Sequence, residues 1–366
     1  MSHVTGRPGG LPESQSVDLR SNNAVWQLLG AAAFSTRLVL GWIYWGGASR
    51  RLIYAPVKLD PSSPAYLANK LVHAAPGAAF GIGHIMHWLL AQPLLLHIAI
   101  VGFTLLELVV GIGLIIGFAS RILALAAIGL SIVLMLIFGW MGTTCLDEWT
   151  MAAGSFAMAC LIIATGSGPW SVDRLLQRCG FMQKRPWLAW VTSGPLPLSQ
   201  CGFISLTRVL GILSIAFTVF FYGYNFHAIY SPLGKRVDSA RPTIALSNAM
   251  LTDHSVSVQG YIKSGPDTQG FYLMRAALTE PGQSAPLFVY DAGQLSQKGF
   301  VKIKNQFAPW SSCKAIAFGL RCQLGSRAVL SFPLPAGVTP SGHEVLTLTD
   351  IEGKTYSIAV KDNGSS

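Results

Sequence analysis

Cys145 is the side chain with the most direct chemistry in this chain. It stands in Thr143-Thr144-Cys145-Leu146-Asp147-Glu148-Trp149, at the boundary of an apolar stretch. The thiolate is the nucleophilic form of cysteine, and exposure and nearby cations control how much of it exists. Asp147 and Glu148 work against a thiolate unless a cationic segment lies closer. The competing reading is a small residue packed at a helix end. Glu107 comes next, a carboxylate in mid-course of an apolar run. A charged group at the centre of a bilayer costs about 2.5–3.5 kcal/mol on insertion scales. Arg37 is its nearest expected counter-charge, near the middle of the first apolar run. A buried Arg37–Glu107 pair and a carboxylate that handles protons are both open.

The loop from Ser49 to Pro93 collects Arg50, Arg51, Lys58, Lys70 and His73. Such groups suit an anion, with bidentate contacts available to Arg. They also suit a helix C-terminus and lipid phosphates. His84 and His87 are spaced for one helical face, with His97 beyond them. The chain has no Cys-x-x-Cys-His or His-Glu-x-x-His motif and no glycine fingerprint after a strand, so metal, haem, flavin and nicotinamide lack support. Cys313 and Cys322 are either a structural disulfide or a redox-active pair.

These residues must be positioned by a membrane scaffold. Of 366 residues 51% are hydrophobic and 11% charged, with a mean hydropathy of +0.47. Soluble domains carry about 25% charged residues, so a soluble globular enzyme and a disordered chain are both excluded. The net charge of +10 comes without zinc-finger spacing or a basic helix, so nucleic acid is not an expected partner. Ala24–Ala48, Leu94–Phe118, Ile122–Met141, Trp149–Gly166 and Phe203–Tyr224 each approach the roughly 20 apolar residues that a spanning helix needs. Arg7, Arg20, Arg121, Arg174, Arg178, Lys184 and Arg185 outnumber Arg50, Arg51, Lys58 and Lys70 on the other side. The N-terminus is therefore expected inside and the C-terminus outside. The run Ala74–Gln92, with three glycines and two histidines, reads as a re-entrant or interfacial segment.

After Tyr224 the pattern alternates with period two. Strands are expected at Ser255–Ile262, Phe271–Leu278, Leu287–Asp291, Val301–Lys304, Ala315–Leu320, Ala328–Phe332, Glu344–Leu348 and Thr355–Val360. Asp350-Ile351-Glu352-Gly353 would turn the last hairpin. The expected fold is an α-helical membrane bundle of four helices plus a fifth transmembrane helix, followed by an all-β sandwich. Its parts are a tail (1–23), a helical membrane domain (24–200), the fifth helix (201–230) and the β domain (231–366).

Three stretches carry a family resemblance: Arg37-Leu-Val-Leu-Gly41 with Gly46-Gly47, Glu107-Leu-Val-Val-Gly111 with Gly117 and Arg121, and Phe138-Gly-Trp140-Met-Gly-Thr-Thr-Cys145-Leu-Asp147-Glu148-Trp149. They resemble the DoxD family, the membrane subunit of thiosulfate:quinone oxidoreductase, within a wider DoxX-like group. The last helix with the β domain is similar to its partner DoxA. The resemblance implies oxidation of two thiosulfates to tetrathionate, with electrons passing to a membrane quinone. On that view Arg50, Arg51, Lys58, Lys70 and His73 bind thiosulfate. Cys145, Glu107, Asp147 and Glu148 form the catalytic set, and Arg37, Trp140 and Trp149 meet the quinone. The tryptophans equally suit interfacial anchors. Expected partners are thiosulfate, the quinone pool and the lipid bilayer, with a homo-oligomer or a sulfur-oxidation complex also open. The expected location is the inner (plasma) membrane, multi-pass, with the β domain extracytoplasmic. The competing function is a non-catalytic membrane module that presents the β domain to a partner complex.

Overall fold

The computed structural model describes residues 23–141, 147–179, 186–226 and 241–362, except 253, 267–268, 284 and 339–340. Its helices are α1 (Asn23–Ala32), α2 (Phe34–Ser49), α3 (Ala68–Ala74), α4 (Ile82–Leu90), α5 (Pro93–Ile116), α6 (Ser120–Phe138), α7 (Asp147–Thr165), α8 (Val172–Arg178) and α9 (Gln200–Phe226). Among these, α5, α6, most of α7 and α9 are long and apolar enough to cross a membrane. The first expected span is bent by 52° between Ala24–Ala32 and Phe34–Tyr54, and counts as a fifth if the two pieces act together. Leu40, Tyr44, Val110, Leu114, Ala127 and Ile162 form the centre of the bundle.

Glycines set the distance between α2 and α5. A Cβ on Gly111 would stand 2.5 Å from the Trp45 nitrogen, and one on Gly41 would stand 2.9 Å from the Ile115 nitrogen. The two quoted motifs are therefore the facing sides of one close helix pair, in the small-residue manner of membrane interfaces.

The segment between α2 and α5 is a chain of short helices rather than a single interfacial helix. Pro76 and Gly77 interrupt it, and Phe80 and Gly81 take positive φ of 51° and 75° before α4 starts. This loop, the end of α6 and the end of α9 lie at one end of the bundle, and the β domain packs on the loop and on Trp140 just after α6.

The β domain stacks two sheets. One has the order β11-β1-β2-β8-β5, with β1 (Thr243–Thr252), β2 (Ser255–Ser264), β5 (Lys302–Asn305), β8 (Arg327–Pro333) and β11 (Lys361–Asp362). The other has the order β10-β9-β3-β7-β6, with β3 (Phe271–Thr279), β6 (Cys313–Ile316), β7 (Gly319–Cys322), β9 (Val345–Asp350) and β10 (Thr355–Ala359). The short β4 (Phe288–Tyr290) pairs with β3, and α10 (Ala292–Leu295) follows it. All pairings are antiparallel except β1 with β11. Alternate residues such as Val256, Val258, Leu330, Phe332, Leu346 and Leu348 fill the space between the sheets.

One expected strand is corrected. Ala315–Leu320 is not continuous; the chain turns before Gly319 (φ 101°) and splits it into β6 and β7. That turn sets Cys313 opposite Cys322, and the two form a disulfide with both residues buried in the sandwich. Burial favours the structural reading over a redox pair. Closing so short a loop stabilises by about 2–3 kcal/mol. Replacing both cysteines with serine should lower β-domain stability by that amount, read by chemical denaturation, while the membrane part stays folded.

Candidate functional site

The end of α2 widens over Arg50–Tyr54 into a π-type turn. The turn carries the Arg51 side chain inward, where it pairs with Glu107 of α5. Phe103 lies under the guanidinium at 5.7 Å, and both partners are largely shielded from solvent. Gly47 lets the carboxylate lie against α2, because a Cβ there would stand only 3.3 Å from its oxygens. Among the described residues the buried Arg51 Nε has no hydrogen-bond acceptor. The expected pairing with Arg37 is therefore wrong: the α2 helix runs past Ala48 and brings Arg51 to the carboxylate instead.

Above this pair the cations converge. Lys58 sits half-buried in the turn Pro56–Leu59, and its ammonium is pushed below the ordinary lysine range by burial and by the charges of Arg50, Arg51 and Lys70. Arg50, Arg51 and Lys70, from two other segments, thus all bear on Lys58. Repulsion of this kind is relieved by a bound anion. The backbone is held by Leu67 N donating to Lys58 O at 2.9 Å. His73 lies buried on α3, one turn beyond Lys70.

Trp140 is a second correction. It is 2% exposed, packs on Gly77, and donates from Nε1 to Ala74 O at 2.9 Å. It joins the end of α6 to the loop and the β domain, with no ring face left for a ligand. Arg37 is a third. Its guanidinium donates to Leu114 O, Ile115 O and Trp170 O at the opposite end of the bundle, satisfying carbonyls at the α5 C-terminus. It cannot reach a ligand beside Glu107.

Trp149, at the start of α7, is half-buried against Tyr222 and Phe226 of α9, with ring centroids 4.9 and 6.3 Å away. Among the described residues its buried Nε1 finds no acceptor, and neither does Nδ2 of Asn225 on the same stretch of α9. Asn225 reaches toward Gly139 at the end of α6, where a Cβ would stand 2.8 Å from that nitrogen. Sequence reading missed Asn225; its signal was a lone amide among the aromatic residues closing an apolar helix. Glu148 is half-buried beside Trp149, and Asp147 opens α7. Cys145 lies outside the described residues, between Met141 and Asp147. Among the described residues, no three His, Cys, Asp or Glu side chains gather where a metal ion could sit.

A second missed residue serves the far end of the bundle. Asp173 of α8 is fully buried and accepts from Ala119 N, Ser120 N and the hydroxyls of Ser120, Ser167 and Ser193. Arg121 beside it donates to Ile163 O, Ala189 O and Gly194 O.

Comparison with protein families matches residues 33–199 to TQO small subunit DoxD and residues 226–359 to TQO small subunit DoxA. The chain belongs to the DoxD and DoxA families, joined in tandem. No solved structure matches it. The DoxA match begins at Phe226, the last residue of α9, so the rest of that helix lies between or at the edge of the two matched regions.

The DoxD and DoxA halves meet along the loop before α5. Trp310 Nε1 donates to Pro61 O at 2.8 Å, Asn69 Nδ2 donates to Trp310 O, and His87 Nε2 pairs with the Tyr261 hydroxyl at 3.1 Å. Phe307 packs with Leu96 and Ile100 of α5. Gly325 has φ +73° and lies so close to Val72 O that no side chain fits between the halves there. Burial, then Arg327 and His84, hold His87 below the ordinary histidine range, which favours its neutral form at this seam.

Proposed function

We propose that the chain oxidises thiosulfate to tetrathionate and passes the two electrons to a membrane quinone. The family matches support a thiosulfate:quinone oxidoreductase by name. The observation that carries the reading is the convergence of Arg50, Arg51, Lys58 and Lys70 at the end of the bundle that bears the DoxA half. A dianion is the ligand such a cluster stabilises best. The balanced reaction takes two thiosulfates, one quinone and two protons to tetrathionate and a quinol.

In this reading the cations and His73 hold thiosulfate, and Cys145 is the nucleophile. Its sulfur bonds to the outer sulfur of thiosulfate as two electrons leave for the quinone. The outer sulfur of a second thiosulfate then attacks the middle sulfur of Cys–S–S–SO3. Tetrathionate departs and the Cys145 thiolate is restored. Glu107 and Glu148 are the carboxylates through which protons move, with Asp147 next to the nucleophile. The donors of Trp149 and Asn225, without acceptors among the described residues and beside Tyr222 and Phe226, suit a quinone ring with two carbonyl oxygens. The chain lies in the inner membrane with the DoxA half outside the cytoplasm. The charge asymmetry of the loops and a disulfide, which persists in oxidising compartments, support that placement.

The test is the purified full chain with a ubiquinone analogue and, separately, thiosulfate, sulfide and sulfite. Quinone reduction with thiosulfate alone, giving one tetrathionate per quinol, is expected; no reduction by thiosulfate would overturn the reading. Undiminished tetrathionate formation by Cys145→Ser would remove Cys145 from it. Lys58 adds a pH signature. Because its ammonium loses its proton below the usual lysine range, thiosulfate affinity should weaken as pH rises toward that range. Lys58→Arg, whose charge persists, should flatten the profile of KM against pH.

A further inference from the structure

We propose that the cleft at the DoxD–DoxA seam is a second thiosulfate subsite, which works with the Lys58 cluster to bring the two dianions of one turnover together. This rests on the reaction proposed above. The cleft has a volume of ≈ 240 Å³ and is lined by Asn69 and Pro64 from the loop and by Trp310, Ser312, Lys314 and Arg321 from the β domain, with Gln323 beside them.

The β6–β7 pairing explains how its cations come to share one wall. Cys313 faces Cys322 and Lys314 faces Arg321 in register. Side chains alternate across a strand, so turning the disulfide into the core turns both cations outward, toward the loop. Two cationic side chains on neighbouring strands present a local positive charge that an anion in the cleft would meet. The Arg321 guanidinium is steadied by Nε donating to Gln269 O at 3.1 Å and by lying 5.8 Å from the Tyr272 ring. Gln323 Oε1 accepts from Ser312 N at 3.1 Å, which orients the amide with Nε2 as its remaining donor group. The described lining residues offer several donors: the Asn69 and Gln323 amides, the Ser312 hydroxyl, the Lys314 ammonium and the Arg321 guanidinium.

The short helix α3 borders both places. Asn69 lines the cleft, and the next residue, Lys70, is one of the cations that act on Lys58. One oxyanion site therefore comes from the DoxD half and the other from the DoxA half, with Asn69 and Lys70 between them. Forming the sulfur–sulfur bond of tetrathionate brings a second thiosulfate dianion against the anionic Cys145 adduct of the first, and two separate cationic places hold these two oxyanions against their repulsion.

Calorimetric titration of the full chain with thiosulfate, without quinone, tests the proposal. The unaltered protein should bind two thiosulfates. Lys314→Gln/Arg321→Gln should bind one and show a rise of about tenfold in the thiosulfate concentration needed for half-maximal rate, with KM for the quinone analogue unchanged. The charge-conserving exchange Lys314→Arg/Arg321→Lys should retain the second binding event, which separates charge from folding. One site in the unaltered protein, or two in the glutamine variant, would overturn the subsite. Two bound thiosulfates without tetrathionate on adding quinone would leave the subsite standing and overturn the reaction.

Discussion

Asp173→Ala should destabilise the protein by about 3–5 kcal/mol, the range for removing one member of a buried charge network. The carboxylate accepts from Ala119 N at 2.7 Å and Ser120 N at 3.2 Å, which satisfies backbone donors at the start of α6. It also accepts from three hydroxyls, and its charge acts on both Arg37 and Arg121. Ala119 has a positive φ of 46°, a conformation that alanine holds only when its surroundings fix it. Alanine at 173 would leave two buried guanidiniums without this counter-charge and the helix start without its cap. Asp173→Asn keeps the shape and one acceptor oxygen and should recover part of the loss. The measurement is the midpoint of unfolding in detergent with rising dodecyl sulfate. Because Asp173 lies at the opposite end from the Lys58 cluster, protein that remains folded should reduce quinone at the unaltered rate. A normal midpoint in Asp173→Ala would show that the serines and the helix dipole suffice.

The spans were legible because length and apolarity alone decide them, and each of the five expected runs coincides with a helix or with the bent pair. The bend itself was not; just before it Gly30 lies against Gly168, a contact between residues far apart in sequence. The charge partners were only half legible. Glu107 stood out as a carboxylate in lipid, but counting positions along the first span selects Arg37, whereas the partner is set by how far α2 continues. Arg50-Arg51 reads as a helix end, and the wide turn that buries Arg51 has no local signature. Asp173 escaped notice because a single acid after a span looks like an ordinary polar loop residue. Its signal lay in Ser167, Ser171 and Ser193, hydroxyls clustered near span ends where carbonyls and amides need partners.

The β domain shows the same division. Period-two alternation located most strands, and Asp350–Gly353 turns the last hairpin as expected, with Asp350 Oδ1 accepting from Glu352 N and Lys354 N. The strand β1 was missed because Ser247-Asn248-Ala249 breaks its alternation; Asn248 sits at a bulge with φ 50°. The spacing of Cys313 and Cys322 left their pairing open, and the hairpin between them resolved it. What sequence did not reveal at all was the seam, because Asn69, Trp310 and Arg321 acquire their meaning only once the two halves dock.

Breaking the Arg51–Glu107 pair should produce the largest functional effect, and a double-variant cycle separates its two roles. Glu107→Gln and Arg51→Met each leave one buried group without its counter-charge, for which about 3–5 kcal/mol is the usual cost. The doubly apolar Arg51→Met/Glu107→Leu removes both charges and fills similar volume, so its unfolding midpoint should return close to that of the unaltered protein. If the pair only fastens α2 to α5, activity would return with stability. The Lys58 cluster argues otherwise: Arg51 contributes charge to it while holding Glu107, and among the described residues Arg51 Nε is still without an acceptor. The double variant should therefore fold and yet reduce quinone with thiosulfate at least about a hundredfold more slowly, the smallest effect expected when an acid–base group is lost. Recovery of both properties would reduce the pair to a structural pin and move proton transfer to Glu148.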